Sequence, residues 1–146
     1  MRAVVTRVSS ASVTIDGAVA GAIETGYLVL LGVGPEDTEA VCDKLADKIC
    51  NLRVFEDENG KMNMNLEQVG GSLLVVSQFT LYADTSSRRP GFSRAAKPDL
   101  AIPLYERFMD RCRRNGFRVE HGQFGADMKV ASVNDGPVTI LYDKDE

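Results

Sequence analysis

The 146-residue chain is short of the residues on which much hydrolytic and metal chemistry rests. It has one histidine, His121, and three cysteines, Cys42, Cys50 and Cys112, none of them in a C-x-x-C pair. That set argues against a disulfide framework and against a zinc site built from it, since such sites need ligands at close, repeated spacing. Neither a G-x-S-x-G elbow nor an H-E-x-x-H helix is present. Gly32-Val33-Gly34-Pro35 is a glycine-rich turn, but it lacks the Lys-Ser/Thr of a phosphate loop and the spacing of a dinucleotide fingerprint. No apolar run approaches the roughly 20 residues that span a bilayer. Met1-Arg2-Ala3-Val4-Val5 goes straight into alternating sequence, without the apolar core and cleavage site of a signal peptide. The expectation is a cytoplasmic protein with no membrane partner, no metal and no cofactor.

What is present is a core and an uneven charge. An apolar fraction of 44% with mixed charge indicates one globular domain over residues 1–146. The net charge of −4 conceals a basic segment from Arg88 to Arg118, where nine Arg and Lys face three acids, a local net of +6. The remainder therefore carries −10. Two readings are open for that segment: a phosphate-facing surface on an acidic protein, or a solvated helix face.

Ala3 to Val8 and Ser12 to Ile15 alternate with strand period on either side of Ser9-Ser10. Asp16-Gly17 marks a hairpin, and Thr25-Gly26 a turn before the apolar run Tyr27 to Leu31. Glu36, Asp37 and Glu39 load a helix start with negative charge, and Val41, Leu45, Ile49 and Leu52 form its buried stripe. Arg53 to Phe55 resumes strand before the turn Asp57-Glu58-Asn59-Gly60, and Ser72 to Leu81 is the most strand-like segment of the chain. Asp84 to Arg94 reads as an ordered polar loop. Pro98 or Asp99 opens a second helix, with Leu104, Phe108 and Cys112 in its stripe, stopped by Asn115-Gly116. A short strand near Phe117 to Glu120 precedes a final strand pair around Val130 to Tyr142. The fold class is α+β: a curved, mainly antiparallel sheet or partial β-barrel with two main helices packed on it.

Two polar stretches interrupt this apolar pattern. With strand period, Gln78 and Thr80 share one face and either line a pocket together or meet solvent at a sheet edge. Asn134-Asp135-Gly136-Pro137-Val138-Thr139 is either a tight turn between two strands or a rigid loop presenting main-chain carbonyls. His121 reads as a residue at the start of a loop. A Cys112–His121 dyad is a further candidate, against which stands the burial expected of a helix-stripe cysteine.

Ser77-Gln78-Phe79-Thr80-Leu81 and Asn134 to Thr139 closely resemble the two signature motifs of D-aminoacyl-tRNA deacylases. Supporting stretches run almost end to end: Met1 to Val8 with Arg7, Asn51 to Asp57, Gly60 to Asn63, Arg89-Pro90-Gly91-Phe92 and Phe124 to Met128. The resemblance implies a homodimeric esterase with cross-subunit active sites. Its partner is aminoacyl-tRNA, held by the 3′-terminal adenosine, from which it removes D-amino acids and also glycine mischarged on tRNA-Ala. It implies catalytic roles for Ser77, Gln78, Phe79 and Thr80, and substrate binding and chiral selection by Gly136, Pro137, Arg7 and Met128. In that family the Gly-Pro bond is cis, and the two carbonyl oxygens hold the substrate's α-ammonium and leave no room for an L side chain. One departure is Gly91, where the family often has serine, which puts a contact of that loop in question.

This implied chemistry agrees with what the chain lacks. An aminoacyl ester is already activated, so positioning and oxyanion stabilisation can carry the rate without a strong nucleophile. Main-chain N–H groups near Phe79 and Thr80 are candidates for the oxyanion hole, and the substrate's 2′-hydroxyl for activating water. The competing route has Thr80 as nucleophile forming an acyl-enzyme.

Overall fold

A computed structural model describes residues 1–143. Strand β1, Arg2–Ile15, is the strand to which three others pair. Strand β2, Ala18–Ile23, returns along its second half, and β3, Gly26–Gly32, runs antiparallel to its first half. Ser9 and Ser10, expected between two strands, lie exposed inside the single strand β1, near its register shifts. Asp16 and Gly17 turn the β1–β2 hairpin with φ of 50° and 80°, the left-handed pair that a tight hairpin requires.

Helix α1, Glu39–Cys50, is capped by Thr38, whose hydroxyl accepts from Val41 N–H. The expected role of Asp37 at this helix start is corrected. Its carboxylate is buried and takes the α-ammonium of Met1 at 2.6 Å and the Gly34 N–H at 2.7 Å. A charge with so short a route to a buried cation is worth more there than facing a helix dipole across solvent.

Phe55–Glu56 (β4) and Met62–Met64 (β5) form a small separate hairpin around the predicted Asp57–Gly60 turn. Strand β6, Ser72–Ser77, then lies parallel to β3, and β7, Val119–His121, parallel to β6. His121 therefore ends a strand rather than opening a loop. Helix α2, Pro98–Arg114, connects β6 to β7 in the chain, packs on α1, and stops at Asn115-Gly116 as its sequence predicts.

The strand expected over Ser72 to Leu81 ends at Ser77. Gln78 N–H still bonds Leu31 C=O at 2.8 Å, but β3 ends at Gly32 and offers no further ladder. The chain tightens instead into a 3₁₀ turn, Phe79–Tyr82. The final strand pair is also corrected: Lys129–Asp143 is one continuous strand, β8, antiparallel to β1 along almost its whole length.

The result is a mixed sheet with four antiparallel and two parallel strand pairings, counting the small hairpin, curved into a nearly closed barrel. Its two faces bury different clusters. Ala3, Val5, Tyr27, Val29, Leu31, Leu73 and Val75 pack against the helices through Ile49, Leu104 and Phe108. Val8, Val13, Ile23, Leu28, Leu74 and Val76 fill the opposite, concave side. Parity along β3 and β6 assigns each residue to its side, as the two-residue period of a strand demands. No helix among the described residues is long and apolar enough to cross a membrane.

Candidate functional site

The Asn134–Thr139 stretch is neither a turn between strands nor a free loop. Thr139 pairs with Thr6 and Asn134 with Val8, so four residues of β8 stand opposite the single residue Arg7. This is an enlarged bulge in a continuous strand, and the extra residues must project from the sheet. Asp135, Gly136 and Pro137 are exposed, whereas Val138 is buried and anchors the returning chain. Asn134 fastens the neck: its Oδ1 accepts from Val138 N–H at 2.8 Å and its Nδ2 donates to Thr139 Oγ1 at 3.1 Å. The Gly136-Pro137 peptide is cis.

Arg7 braces the bulge from behind. Its side chain is only 6% exposed, yet among the described residues it forms no ion pair. Its Nε donates to Asp135 C=O at 2.8 Å and its Nη1 to Val54 C=O at 2.6 Å, with the guanidinium 6.0 Å from the Phe55 ring centroid. A buried guanidinium satisfied by main-chain oxygens alone fixes those two segments relative to each other. Gly136 has φ of 143°, and a Cβ there would stand 2.8 Å from Val138 Cγ2 and 3.0 Å from Arg7 Nη2. Glycine is required there by backbone conformation and by close approach.

The other stretch sits at the end of β6. Ser77 and Gln78 are half-buried, Phe79 is 53% exposed and Thr80 is half-buried. The expected strand alternation of Gln78 and Thr80 does not hold, because the strand has ended, but the 3₁₀ turn brings the same two side chains together. Gln78 Nε2 donates to Thr80 Oγ1 at 2.5 Å. The partner of that hydroxyl is thus an amide, which cannot accept its proton. Phe79 and Thr80 open the 3₁₀ turn, where main-chain N–H groups have no acceptor inside the helix.

Sequence reasoning did not single out Arg2, which clamps this turn from outside. Its Nη1 donates to Leu81 C=O at 2.8 Å, its guanidinium lies 4.5 Å from the Tyr82 ring centroid, and its Nε pairs with Asp143 at 3.0 Å. Gly32 and Gly34 form the seat beneath: a Cβ on either would come within about 3 Å of Leu81 or Tyr82. The glycine-rich turn is therefore a packing surface for the site. No local signal marks Arg2, since its contacts are 79 and 141 residues distant.

Within one chain the two stretches do not meet. Ser77 lies in the row of Leu31 and Ala3, whereas the bulge lies in the row of Arg7. The offset is four residues, about 13 Å along the strands, and three strand spacings, about 14 Å across the sheet. Met128 is at neither place. It precedes the Lys129–Thr14 pair, seven rows from Arg7, and packs on the concave cluster with Sδ against Gly122.

His121 pairs with Val75 and lines a 610 Å³ groove with Tyr105, Glu106, Asp110 and Arg113; its Nδ1 contacts Gly122 C=O at 2.6 Å. The cysteines are buried. Burial pushes the Cys42 thiol up to about 12, and its contact with Cys50, together with burial, pushes Cys112 up as well. A Cys112–His121 dyad is thereby corrected to a buried neutral thiol and a histidine on another element. Among the described residues no group of His, Cys, Asp and Glu is placed to hold a metal.

Phe92 stands edge-on to Phe79, with centroids 5.1 Å apart, and joins the Asp84–Arg94 loop to the 3₁₀ turn. Asp84 and Gly91 exchange both main-chain hydrogen bonds, at 2.8 and 2.9 Å. Gly91 thus keeps the loop's bridge without a side chain, and open space lies where a Cβ would stand.

The family model described as D-Tyr-tRNA(Tyr) deacylase matches residues 4–143. The chain is 58% identical to the D-aminoacyl-tRNA deacylase of Symbiobacterium thermophilum over 147 aligned residues, covering 100% of this chain and 97% of that one. It is 62% identical to the D-aminoacyl-tRNA deacylase of Shewanella baltica, covering 96% and 97%. Among solved structures, the c-Myc DNA Unwinding Element Binding Protein is similar at 41% identity with a TM-score of 0.92, covering 98% of each chain. A probable eukaryotic D-amino acid tRNA deacylase shares the fold at 15% identity with a TM-score of 0.85, covering 97% of each.

Proposed function

Because the chain belongs to the D-Tyr-tRNA(Tyr) deacylase family, we propose that it hydrolyses the ester of D-aminoacyl-tRNA as a cytoplasmic homodimer, each copy completing the other's site. The observation that carries this reading is the braced bulge at Gly136-Pro137, exposed and far along the sheet from Ser77–Thr80. A second copy of the chain supplies the missing half by inserting its bulge beside the partner's 3₁₀ turn. The outer edge of β8, with Val133 and Leu141 at 56% and 70% exposure, is the surface such a copy would cover.

In that arrangement the carbonyl oxygens of Gly136 and Pro137 accept hydrogen bonds from the substrate's α-ammonium. With the ammonium and the ester both fixed, the two enantiomers direct their side chains differently, and backbone fills the direction an L side chain needs. Recognition through main chain leaves the D side chain unread. Glycine has no side chain to exclude, so glycyl-tRNA, including glycine mischarged on tRNA-Ala, is also cleaved.

For the chemical step, water attacks the ester carbon, and the N–H groups of Phe79 and Thr80 stabilise the developing oxyanion. The terminal ribose 2′-hydroxyl takes part in activating that water. Ser77 and Gln78 set the site's shape, Gln78 by holding Thr80. Thr80 is not the nucleophile in this reading, since its partner is an amide rather than a base. Met128 acts at a distance by supporting the concave cluster on which β8 rests.

The direct test compares deacylation of D-Tyr-tRNA and L-Tyr-tRNA. Fast release from the D ester alone is expected, and equal rates or none would refute the reading. Thr80→Ala should retain substantial D-Tyr-tRNA hydrolysis; complete loss with a trapped acyl-enzyme in the wild type would establish the covalent route instead. Sedimentation should return twice the mass of one 15.9 kDa chain.

A further inference from the structure

Eight of the nine cations of the basic segment separate into two groups, and the ninth, Arg114, is exposed at the end of α2 and enters no ion pair among the described residues. Along α2, Arg107 grips Asp43 through two bonds of 2.9 Å, and Arg111 grips Asp47 at 2.9 and 2.8 Å. Arg113 pairs with Asp110, and Arg118 with Glu120. Those four cations serve the fold. Among the described residues Arg88, Arg89, Arg94 and Lys97 enter no ion pair, and all four are exposed.

These four lie on one stretch that the structure holds firmly. The Asp84–Gly91 bridge closes its base, Ser87 Oγ donates to Arg89 C=O at 2.8 Å, and Ala96 N–H bonds Val33 C=O at 2.9 Å. The same stretch touches the candidate site through Phe92 against Phe79. Asp84 at the loop's base acts on Arg94 without forming an ion pair, and holding the four like charges together on an ordered loop leaves a net positive field that favours an anion. An exposed aromatic pair with cations on either side of Phe92 in the chain is the pattern that binds single-stranded nucleic acid, with rings for bases and cations for phosphates.

We propose that Arg88, Arg89, Arg94 and Lys97 bind the phosphodiester backbone of the substrate's single-stranded 3′ end and deliver its terminal ester to the 3₁₀ turn. This rests on the deacylase reading and adds the surface that distinguishes a tRNA ester from the same ester on a nucleoside. Four phosphate contacts on a single strand give a salt slope near −2.8, about a 50-fold loss of affinity between 50 and 200 mM salt.

The test uses the full-length R88Q/R89Q/R94Q protein with D-tyrosyl-tRNA and with D-tyrosyl-adenosine, which carries no phosphate. The KM for the tRNA ester should rise about tenfold or more at 50 mM salt, and its salt slope should flatten by about 2. The ratio of kcat/KM on the tRNA ester to that on the nucleoside ester should fall correspondingly. Lys44→Gln, which removes a charge from the exposed side of α1, should leave that ratio unchanged. Equal losses on both esters, or an unaltered salt slope, would overturn the proposal. Filter retention of uncharged tRNA decides the surface even if neither ester is turned over. Weakened retention by the triple variant supports it, retention equal to wild type overturns it, and absence of turnover then counts against the deacylase reading alone.

Discussion

Replacing Arg7 by lysine isolates the brace behind the Gly136-Pro137 bulge. The guanidinium serves two acceptors from two different nitrogens, Asp135 C=O through Nε and Val54 C=O through Nη1. A lysine keeps the charge but presents it at a single point, so it can reach one of the two. Loss of the donor to the buried Val54 C=O costs about 1–3 kcal/mol, whereas loss of the donor to Asp135 C=O, on the exposed bulge, costs less stability and instead frees the bulge. The weak cation–ring contact with Phe55 adds little at 6.0 Å. A loss of about 2 kcal/mol corresponds to a fall in Tm of roughly 4–8 °C for a chain of this size. Function should suffer more than stability, because a bulge displaced by about 1 Å can cost on the order of 100-fold in rate. The assay is thermal unfolding of Arg7→Lys alongside deacylation of D-Tyr-tRNA and L-Tyr-tRNA. The expected result is a folded protein with a small Tm loss, a large fall in kcat/KM for the D ester and a reduced D/L ratio. If Tm and the D/L ratio both match wild type, Arg7 is not a brace and the argument built on it fails.

Three further outcomes follow from particular contacts. Gly136→Ala forces φ of 143° on a residue with a side chain and drives its Cβ toward Val138 and Arg7, so about 1–3 kcal/mol of stability should be lost in chemical denaturation, with D-Tyr-tRNA hydrolysis largely abolished. Asp37→Asn leaves the buried Met1 ammonium without a counter-charge, and a loss of about 3–5 kcal/mol is expected by urea titration; a change below about 1 kcal/mol would show that the pair is not desolvated as the structure has it. Iodoacetamide at pH 8 should neither label Cys42, Cys50 or Cys112 in the native protein nor slow it, since all three are buried and the Cys42 thiol is held near 12; rapid inactivation would revive a cysteine mechanism.

Much of the site's chemistry was legible in residues close together in the chain. Gln78 and Thr80 announced themselves as polar side chains in apolar surroundings, and Gly136-Pro137 as a dipeptide that cannot sit in an ordinary ladder. The route to their arrangement was not legible. Strand parity would have placed Gln78 and Thr80 on one face, whereas the strand stops when β3 runs out at Gly32 and a 3₁₀ turn brings them together. The bulge looked like a turn because its composition is that of a turn. Only the pairing of Asn134 with Val8 and Thr139 with Thr6 shows the chain continuing in the same direction.

Sequence by itself determined the features set by local sterics and period. These are the Asp16-Gly17 hairpin, the Asp57–Gly60 turn, the α2 stripe, Leu45 and Ile49 of the α1 stripe (Val41 and Leu52 are only half-buried, and Leu52 lies past the helix end), and the stop at Asn115-Gly116. Tertiary structure decided which charges are spent on the fold and which remain available. Arg107 and Arg111, spaced one helical turn apart, meet Asp43 and Asp47 at the same spacing on α1, 64 residues earlier. Arg88, Arg89, Arg94 and Lys97 enter no ion pair among the described residues, and of these Arg94 acts on a carboxylate, Asp84, only at longer range. Composition counts all of these cations alike, because charge is a property of the residue. Its pairing depends on which element folding carries to within a few ångströms, and that is fixed by the packing of the two helices on the sheet.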